Sequence, residues 1–440
     1  MKSAYRISRS FLLMGTLTGL WMHPGLIKAN NWPDWRGPGG QGVIEATGVP
    51  AEWSSEHHVV WKAPMADRSN STPVVWGEKV FVTQAIERTN QRLVQCFDMR
   101  SGKKLWESGT VFEAEESTHQ TNPYCSASPV VDGGRVIAVF GSAGIYCFDH
   151  DGQELWKTEP GDQRYTWGSG SSPVLWGDLC IVYFGPGPDA RLLAIDKSSG
   201  KIRWEWEEPV YNPERRTDGF RGSRQGMVCT YSSPLVIDHK GKPMVLMLFP
   251  GCIRGFEPAT GKLLFKSPGM NPLVYTSPVY SDGIVVGMGG YQGTTIATQL
   301  PESFDKIKTP VILEPIWSSE RTSNRLGSAV IDKHGRVYVL NTPGIMECLD
   351  LKTGTVLWDE RLPVAGPTRE SWSSLVLAGD RIFAVNQSGD TIVVKASDKF
   401  EVLGINSIGN ELTNASPVIA GEKYILRTHK HLWCFGTGTP

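Results

Sequence analysis

The sequence predicts an all-β protein, an eight-bladed β-propeller of four-stranded antiparallel blades that is closed by an N-terminal strand. One observation is a motif, S-x-P-V, that precedes a short apolar strand and starts at Ser71, Ala127, Ser171, Ser232, Thr276 and Ala415, with degenerate copies at Gly327 and Ser373. Pro73 and Pro417 lie 344 residues apart over seven steps, so the mean period is about 49 residues. That spacing is typical of propeller blades with added loops.

The second observation is a hairpin pattern between these motifs, and Cys96 to Trp106 is its clearest copy. An alternating strand reaches Asp98, the pair Ser101-Gly102 supplies a turn, and the return strand ends in a Trp. Copies follow at Cys147–Trp156, Ala194–Trp204, Gly255–Phe265 and Cys348–Trp358.

Each unit is therefore expected to hold four strands, with S-x-P-V innermost and the Trp strand outermost. A proline at the start of the innermost strand loses no ladder hydrogen bond if its nitrogen faces a central channel. Closing eight such units into a ring leaves only short strand edges. The fifth unit is the least regular, and Trp317 is assigned as its outer Trp.

The ends of the chain predict how the ring closes. The last unit, from Ser416 to Phe435, lacks a fourth strand, and Val59–Lys62 is a spare strand ahead of the first motif. We expect this strand to complete blade 8 with Trp61 in the outer Trp position. The segment from Trp32 to Pro38 is expected to cross the outside of this seam.

Residues 1–29 are interpreted as a signal peptide, and 30–440 as a single domain. Lys2, Arg6 and Arg9 precede an apolar run from Phe11 to Met22 that is short for a membrane span. The sequence has no lipobox, and retention of the segment as an anchor is the alternative. We expect a periplasmic or secreted protein with no transmembrane span in the mature chain. The net charge of −1 argues against a nucleic-acid partner.

The hairpin pattern, A-x-D-x-x-[ST]-G-K-x-x-W, resembles the quinoprotein-type (PQQ-like) β-propeller repeat over nearly all of residues 55–435. That family includes alcohol dehydrogenases that bind pyrroloquinoline quinone (PQQ) and a non-catalytic, BamB-like branch. The resemblance implies an exported propeller of the BamB-like branch. We expect it to act as a non-catalytic scaffold that binds a protein partner or a small anionic ligand at the central funnel, and the resemblance makes envelope assembly one version of this role.

Cysteines are used in two ways. Cys96, Cys147, Cys348 and Cys434 share one repeat position with Ala194 and Gly255, which indicates a small buried site and not disulfide pairing. The pairing of Cys125, Cys180, Cys229 and Cys252 is left open.

Candidate binding residues lie in the segments that approach each innermost strand, because in a propeller these segments meet around the channel mouth. They combine guanidinium groups, which suit a carboxylate or phosphate, with aromatic rings, which suit stacking. The candidates are Arg68, His119, Asn122, Tyr124, Arg164, Trp167, Arg224, Tyr231, Tyr275, Arg325, Arg369, Trp372 and Asn414.

Two other functions are weighed. A PQQ-dependent dehydrogenase of alcohols or sugars would need PQQ with Ca²⁺. The resemblance implies an adjacent Cys-Cys pair and metal-holding carboxylates for it, and the approach segments carry neither. No cofactor, metal site or catalytic residue is therefore expected. A carbohydrate-binding or carbohydrate-degrading propeller would instead have a groove lined by Trp and Tyr and largely free of Arg.

Overall fold

A computed structural model describes residues 31–46, 48–187, 189–213, 228–319 and 324–437, so the expected signal peptide lies outside the described residues. The described chain forms eight four-stranded antiparallel blades, which confirms the predicted propeller. Helical structure in these ranges is limited to three single turns, Pro38–Gly40, Glu87–Thr89 and Gly141–Ala143. None of the helical segments found there has the length and apolar character needed to cross a bilayer.

Blades 1 to 4 follow the chain from the innermost strand outwards. Their strands are β3 (Val74–Trp76), β4 (Lys79–Ile86), β5 (Gln91–Asp98), β6 (Lys104–Val111); β7 (Val130–Val131), β8 (Val136–Val139), β9 (Ile145–Phe148), β10 (Glu154–Thr158); β11 (Val174–Trp176), β12 (Leu179–Phe184), β13 (Arg191–Asp196), β14 (Ile202–Glu207); and β16 (Leu235–His239), β17 (Lys242–Phe249), β18 (Cys252–Phe256), β19 (Leu263–Pro268).

Blades 5 to 8 repeat the arrangement, except that the outer strand of blade 8 comes from the N-terminal side. Their strands are β21 (Val279–Ser281), β22 (Ile284–Met288), β23 (Thr295–Gln299), β25 (Trp317–Ser319); β26 (Val330–Ile331), β27 (Arg336–Asn341), β28 (Ile345–Asp350), β29 (Val356–Arg361); β30 (Val376–Ala378), β31 (Arg381–Val385), β32 (Thr391–Lys395), β33 (Val402–Asn406); and β34 (Val418–Ala420), β35 (Lys423–Arg427), β36 (His431–Phe435), β2 (Val59–Pro64).

The remaining strands are additions to this pattern. They are β1 (Val43–Ile44), β15 (Cys229–Thr230), β20 (Leu273–Val274) and β24 (Val311–Ile312). Strand β24 pairs in parallel with the outer strand of blade 4, so the segment Pro301–Pro310, which follows β23, leads the chain back to the preceding blade before β25 forms. Trp317 nonetheless begins the outer strand of blade 5, as predicted.

The S-x-P-V motif is explained by a closed ring of hydroxyl groups around the channel, which we call the hydroxyl ring. In every blade, the backbone N–H of the residue at the second position of the motif donates to the side-chain hydroxyl of the same position in the next blade, at 2.8–3.0 Å. Ser416 donates to Thr72 and so closes the circle between blades 8 and 1. The eight members are Thr72, Ser128, Ser172, Ser233, Ser277, Ser328, Ser374 and Ser416.

The outer Trp of a blade fastens it to the next one. The Trp61 indole N–H donates to the carbonyl of Met99 at 2.9 Å, and its ring covers Gly102, whose φ of +68° suits glycine. The same indole-to-carbonyl bond, 2.8–3.1 Å long, is made by Trp106, Trp156, Trp204, Trp317 and Trp358.

The small residue of the repeat lies directly across from this Trp. Cys96 pairs with Trp106, and Gly255 pairs with Phe265 in the blade whose outer ring is a Phe. A side chain on Gly255 would come within 2.1 Å of that ring, so the position accepts only small residues. All eight cysteines, including the four whose pairing the sequence left open, are buried, and none of these eight forms a disulfide bond.

The seam closes as predicted, because β2 forms the outer strand of blade 8 in antiparallel register with β36. A buried carboxylate, Glu411, reinforces it. Glu411 accepts from Thr428, His431 and Trp433 at 2.7–3.0 Å, and Lys62 on β2 lies 3.4 Å away.

The prediction that Trp32–Pro38 crosses the outside of the seam is wrong. Residues 31–46, here called the channel segment, run along the inner edges of the innermost strands, where Trp32 is fully buried. Those edges present backbone groups that lack a ladder partner. The channel segment supplies partners through bonds of Trp32 with Val75, Pro33 with Val131, Gln41 with Tyr280, and Gly42 and Ile44 with β30.

Candidate functional site

One end of the channel opens into a cavity of about 300 Å³, here called the funnel cavity. It lies where the approach segments of the blades meet, just beyond the hydroxyl ring. Its described lining consists of Trp35, Asn70, His119, Thr121, Asn122, Ser126, Ser128, Trp167, Gly170, Ser172, Tyr231, Tyr275, Tyr291, Leu326, Trp372, Asn414 and Ser416.

The channel segment contributes Trp35 to this lining. The next residue, Arg36, anchors the segment, because its guanidinium donates to the carbonyls of Leu375 and Ala329, both at 2.7 Å. Those carbonyls belong to the approaches of blades 7 and 6, so one side chain ties the segment to two blades. Trp35 is therefore held in place by a buried charge-assisted contact next to it.

Seven of the seventeen described lining residues carry an aromatic ring, and six of these rings contact another of them. The rings of Tyr231 and Tyr275 are stacked with centroids 5.4 Å apart and planes 8° apart. Tyr275 also meets Tyr291 and Trp372 edge-on, at 5.6 and 6.4 Å. His119 meets Trp167 edge-on at 6.4 Å. Rings that pack in this way are held in fixed orientations before any ligand arrives.

Side-chain amides provide the polar part of the wall. Asn122 donates to the carbonyls of Trp167 and Ser169 at 2.7 and 3.0 Å, which holds its own approach segment against the next one. Asn70 donates to the carbonyl of Thr121 at 2.8 Å, while its Oδ1 atom is buried and has no hydrogen-bond partner among the described residues. Asn414 accepts from Gln387 at 2.8 Å.

The described lining contains no Lys, Arg, Asp or Glu. Burial raises the pKa of the Tyr231 and Tyr291 hydroxyls, so both stay protonated at neutral pH. The wall is thus rich in π faces and amides and offers a ligand no formal counter-charge from these four residue types.

Seven predicted candidates line the funnel cavity together. They come from six approach segments and are His119, Asn122, Trp167, Tyr231, Tyr275, Trp372 and Asn414.

The other candidates lie elsewhere. Tyr124 packs its ring under the Arg92 guanidinium, 3.9 Å from the centroid, away from the cavity lining. Arg68 and Arg164 are paired with Glu87 and Asp162, with exposed side-chain fractions of 39% and 79%. Arg369 is exposed, and Arg224 lies outside the described residues.

Arg325 has a different setting from the other arginines. It is fully buried, pairs with the equally buried Glu347 at 3.3 Å, and donates to Asn341 at 2.9 Å. The structure therefore places it inside the wall of the propeller as an internal cross-link, away from the cavity lining.

Sequence reasoning missed Trp35 and Tyr291. Trp35 precedes the first repeat, and Tyr291 lies in the irregular hairpin of blade 5, so neither falls in an approach segment. The available signal was the concentration of Trp32, Trp35 and Arg36 in a short segment outside the repeats.

The described lining offers none of the charged partners that PQQ with Ca²⁺ would need. PQQ carries carboxylates that call for cationic partners, and Ca²⁺ takes oxygen ligands that include carboxylates. The described lining has neither lysine nor arginine, and no aspartate or glutamate. Across the described residues, no three His, Cys, Asp or Glu side chains gather in a way that could hold a metal ion.

Comparisons with known proteins relate this chain to the outer membrane protein assembly factor BamB. A family profile described as outer membrane protein assembly factor BamB matches residues 55–240 and 251–437. The outer membrane protein assembly factor BamB of Yersinia pestis is 21% identical over 296 residues. That alignment spans 66% of this chain and 66% of the relative, just under two thirds of each.

Solved structures share the fold. The crystal structure of BamB from Moraxella catarrhalis superposes with a TM-score of 0.57 at 15% identity, covering 86% of this chain and 99% of that chain. The quinohemoprotein alcohol dehydrogenase of Comamonas testosteroni superposes with a TM-score of 0.65 at 12% identity, covering 93% and 81%. At these identities the likeness establishes the architecture alone.

Proposed function

Because this chain belongs to the BamB family of PQQ-repeat β-propellers, we propose that it is an exported, non-catalytic binding scaffold that holds a protein partner on the face bearing the funnel cavity. The observation that carries this proposal is the funnel cavity itself. Seven approach segments and the channel segment converge there, and each contributes a ring or an amide to one concave surface.

The ring that carries this face is built to be rigid. The hydroxyl ring joins neighbouring blades at the channel, and the outer Trp joins them at the rim. A partner therefore meets a surface that is already ordered, which lowers the entropy lost on binding. Rigid presentation of one face suits a scaffold.

The relatives suggest where such a scaffold works. The Yersinia and Moraxella proteins are BamB, and the Yersinia protein is named as an outer membrane assembly factor. We extend that role to this chain and place it in the periplasm. The expected signal peptide, residues 1–29, fits this location.

The experiment uses photo-crosslinking in intact cells. A photoreactive amino acid replaces Arg369, which is exposed on an approach segment, and in a control it replaces Leu105, which is 46% exposed on an outer strand. We expect a crosslink to one envelope protein from position 369 and none from position 105. That protein, once purified, should bind the wild-type chain at least tenfold more tightly than Trp372→Ala.

The matched control for Trp372→Ala is Trp176→Ala. Trp176 is also half-buried, but it ends the innermost strand of blade 3, at the far end from the approach segment. Its variant should bind the partner normally. Equal crosslinking from both positions, or a chain retained in the cytoplasm with residues 1–29 uncleaved, would refute the scaffold proposal.

A further inference from the structure

We infer that the funnel cavity is a binding site for an uncharged sugar of mono- or disaccharide size. This inference rests on the proposed function in one respect, namely that the funnel face is the working surface of the protein. It adds a ligand class that neither the fold nor the family relationship supplies.

The rings of the wall provide the stacking surface. A pyranose ring has a face of C–H bonds with partial positive charge, and this face packs well on the negative face of an aromatic ring. Trp35, Trp167 and Trp372 each contribute an indole to the lining, and the Tyr231–Tyr275 stack adds two phenol rings. A cavity of about 300 Å³ is at the small end of the range for small-molecule sites.

The amides provide the partners for the sugar's edge. Each hydroxyl of a sugar both donates and accepts, and an Asn side chain offers one oxygen and two N–H groups for the same purpose. Asn70, Asn122 and Asn414 lie in the wall among the rings. The buried Oδ1 of Asn70 lacks a hydrogen-bond partner within the described residues, so the wall has at least one acceptor that a donor could satisfy.

The absence of lysine, arginine, aspartate and glutamate from the described lining selects against charged ligands. Among the described lining residues, the phosphate of a nucleotide or the carboxylate of an acidic sugar would find no lysine or arginine as a cationic partner. An apolar or aromatic side chain from a protein would leave the buried Oδ1 of Asn70 without a donor. A neutral sugar can stack on the rings and donate a hydroxyl to this oxygen.

The test is a titration of the mature protein with three neutral disaccharides, cellobiose, maltose and N,N′-diacetylchitobiose. Digalacturonate serves as the charged probe and N-acetyltryptophanamide as a mimic of a protein side chain. Isothermal titration calorimetry is the readout for all five probes, because N-acetyltryptophanamide itself fluoresces as the indoles of the cavity do. We expect at least one neutral disaccharide to bind saturably in the millimolar range or tighter, and both other probes to bind at least tenfold more weakly.

Two variants locate the binding. Trp372→Ala should weaken the sugar at least tenfold, and Asn414→Ala should weaken it several-fold, while Trp176→Ala leaves the affinity unchanged. Thermal melting shows whether each variant is folded. If either Trp372→Ala or Asn414→Ala misfolds, the other variant still tests whether the sugar binds in the cavity.

The outcomes separate this inference from the scaffold proposal. Failure of all three neutral disaccharides, or equal binding of digalacturonate, overturns the sugar assignment. Tighter binding of N-acetyltryptophanamide also overturns it and assigns the cavity to a side chain of the partner. In each of these cases, crosslinking from position 369 still tests the scaffold. Sugar binding with no crosslinked partner would refute the scaffold proposal and leave the sugar assignment in place.

Discussion

Replacement of Trp61 by alanine tests whether the ring is closed by the N-terminal strand. Trp61 is 6% exposed, covers Gly102 of blade 1 and donates to the carbonyl of Met99 at 2.9 Å. Removing a buried Trp side chain costs about 3–5 kcal/mol. The lost hydrogen bond adds about 1 kcal/mol. The expected total of about 5 kcal/mol is a large fraction of the roughly 5–15 kcal/mol that stabilises a typical domain.

The contact between Trp61 and Gly102 can also be tested by changing the glycine. Alanine at Gly102 would place a Cβ 2.5 Å from the Trp61 ring, at a φ of +68°. In the wild-type background, Gly102→Ala therefore combines a steric clash with about 1 kcal/mol of backbone strain. In the Trp61→Ala background only the strain remains. The double variant should therefore lose less free energy of unfolding than the sum of the losses of the two single variants.

Equilibrium unfolding in urea measures these free energies, and limited proteolysis locates the opening. The control is Trp106→Ala, the same contact between blades 1 and 2, where the chain is continuous. We expect Trp61→Ala to expose β2 to protease under native conditions and Trp106→Ala to leave β2 protected. A destabilisation by Trp61→Ala of less than about 1 kcal/mol, or strict additivity with Gly102→Ala, would refute the reasoning.

Three further predictions concern buried charges. Burial raises the pKa of Asp34 from 3.8 to about 7, so between these pH values the folded state holds a proton that the unfolded state has lost, and stability falls as pH rises from 3.8 to 7. The melting temperature of Asp34→Asn should not show this decline with pH, and a decline as steep as that of the wild type would contradict the prediction. Burial also raises the pKa of Glu411, but three side-chain hydrogen bonds outweigh it and hold the pKa below 4.5. The stabilisation by the Glu411 carboxylate is thus present above pH 4.5 and is lost as pH falls below that value. Glu411→Gln should melt at a lower temperature at neutral pH, and its melting temperature should fall less steeply below pH 4.5 than that of the wild type. A steeper fall would count against this role of Glu411. Arg325→Met should destabilise the fold by about 3–5 kcal/mol in urea, because the buried Glu347 loses the guanidinium that lies 3.3 Å away; a loss below about 1 kcal/mol would disprove the buried pair.

The approach segments show how much of the funnel cavity could be predicted from the sequence. The chain enters every blade at the channel, so a residue just before an S-x-P-V motif must lie near the channel mouth. That rule brought His119, Trp167 and Trp372 into one cavity from three different segments. It depends only on the direction of the chain within the repeat.

The arginines show where this reasoning stopped. Arg325 and Arg164 occupy similar places in the sequence, yet Arg325 is fully buried against Glu347 and Arg164 is 79% exposed beside Asp162. Which way a long charged side chain turns depends on whether an acid lies within reach after folding. Glu347 comes from β28, a strand of the following blade, so the pairing is a property of the packed ring.

The number of blades, the place of each outer Trp and the closure by β2 could all be predicted from the repeats. These features follow from local chemistry that recurs in most repeats, such as a turn glycine, a hydroxyl before a proline and a large ring at a fixed spacing. Only the tertiary structure decided the path of the channel segment and the chemistry of the funnel cavity. The inner strand edges expose their unpaired backbone groups only when the ring has closed, and only then can the channel segment find hydrogen-bond partners in five blades.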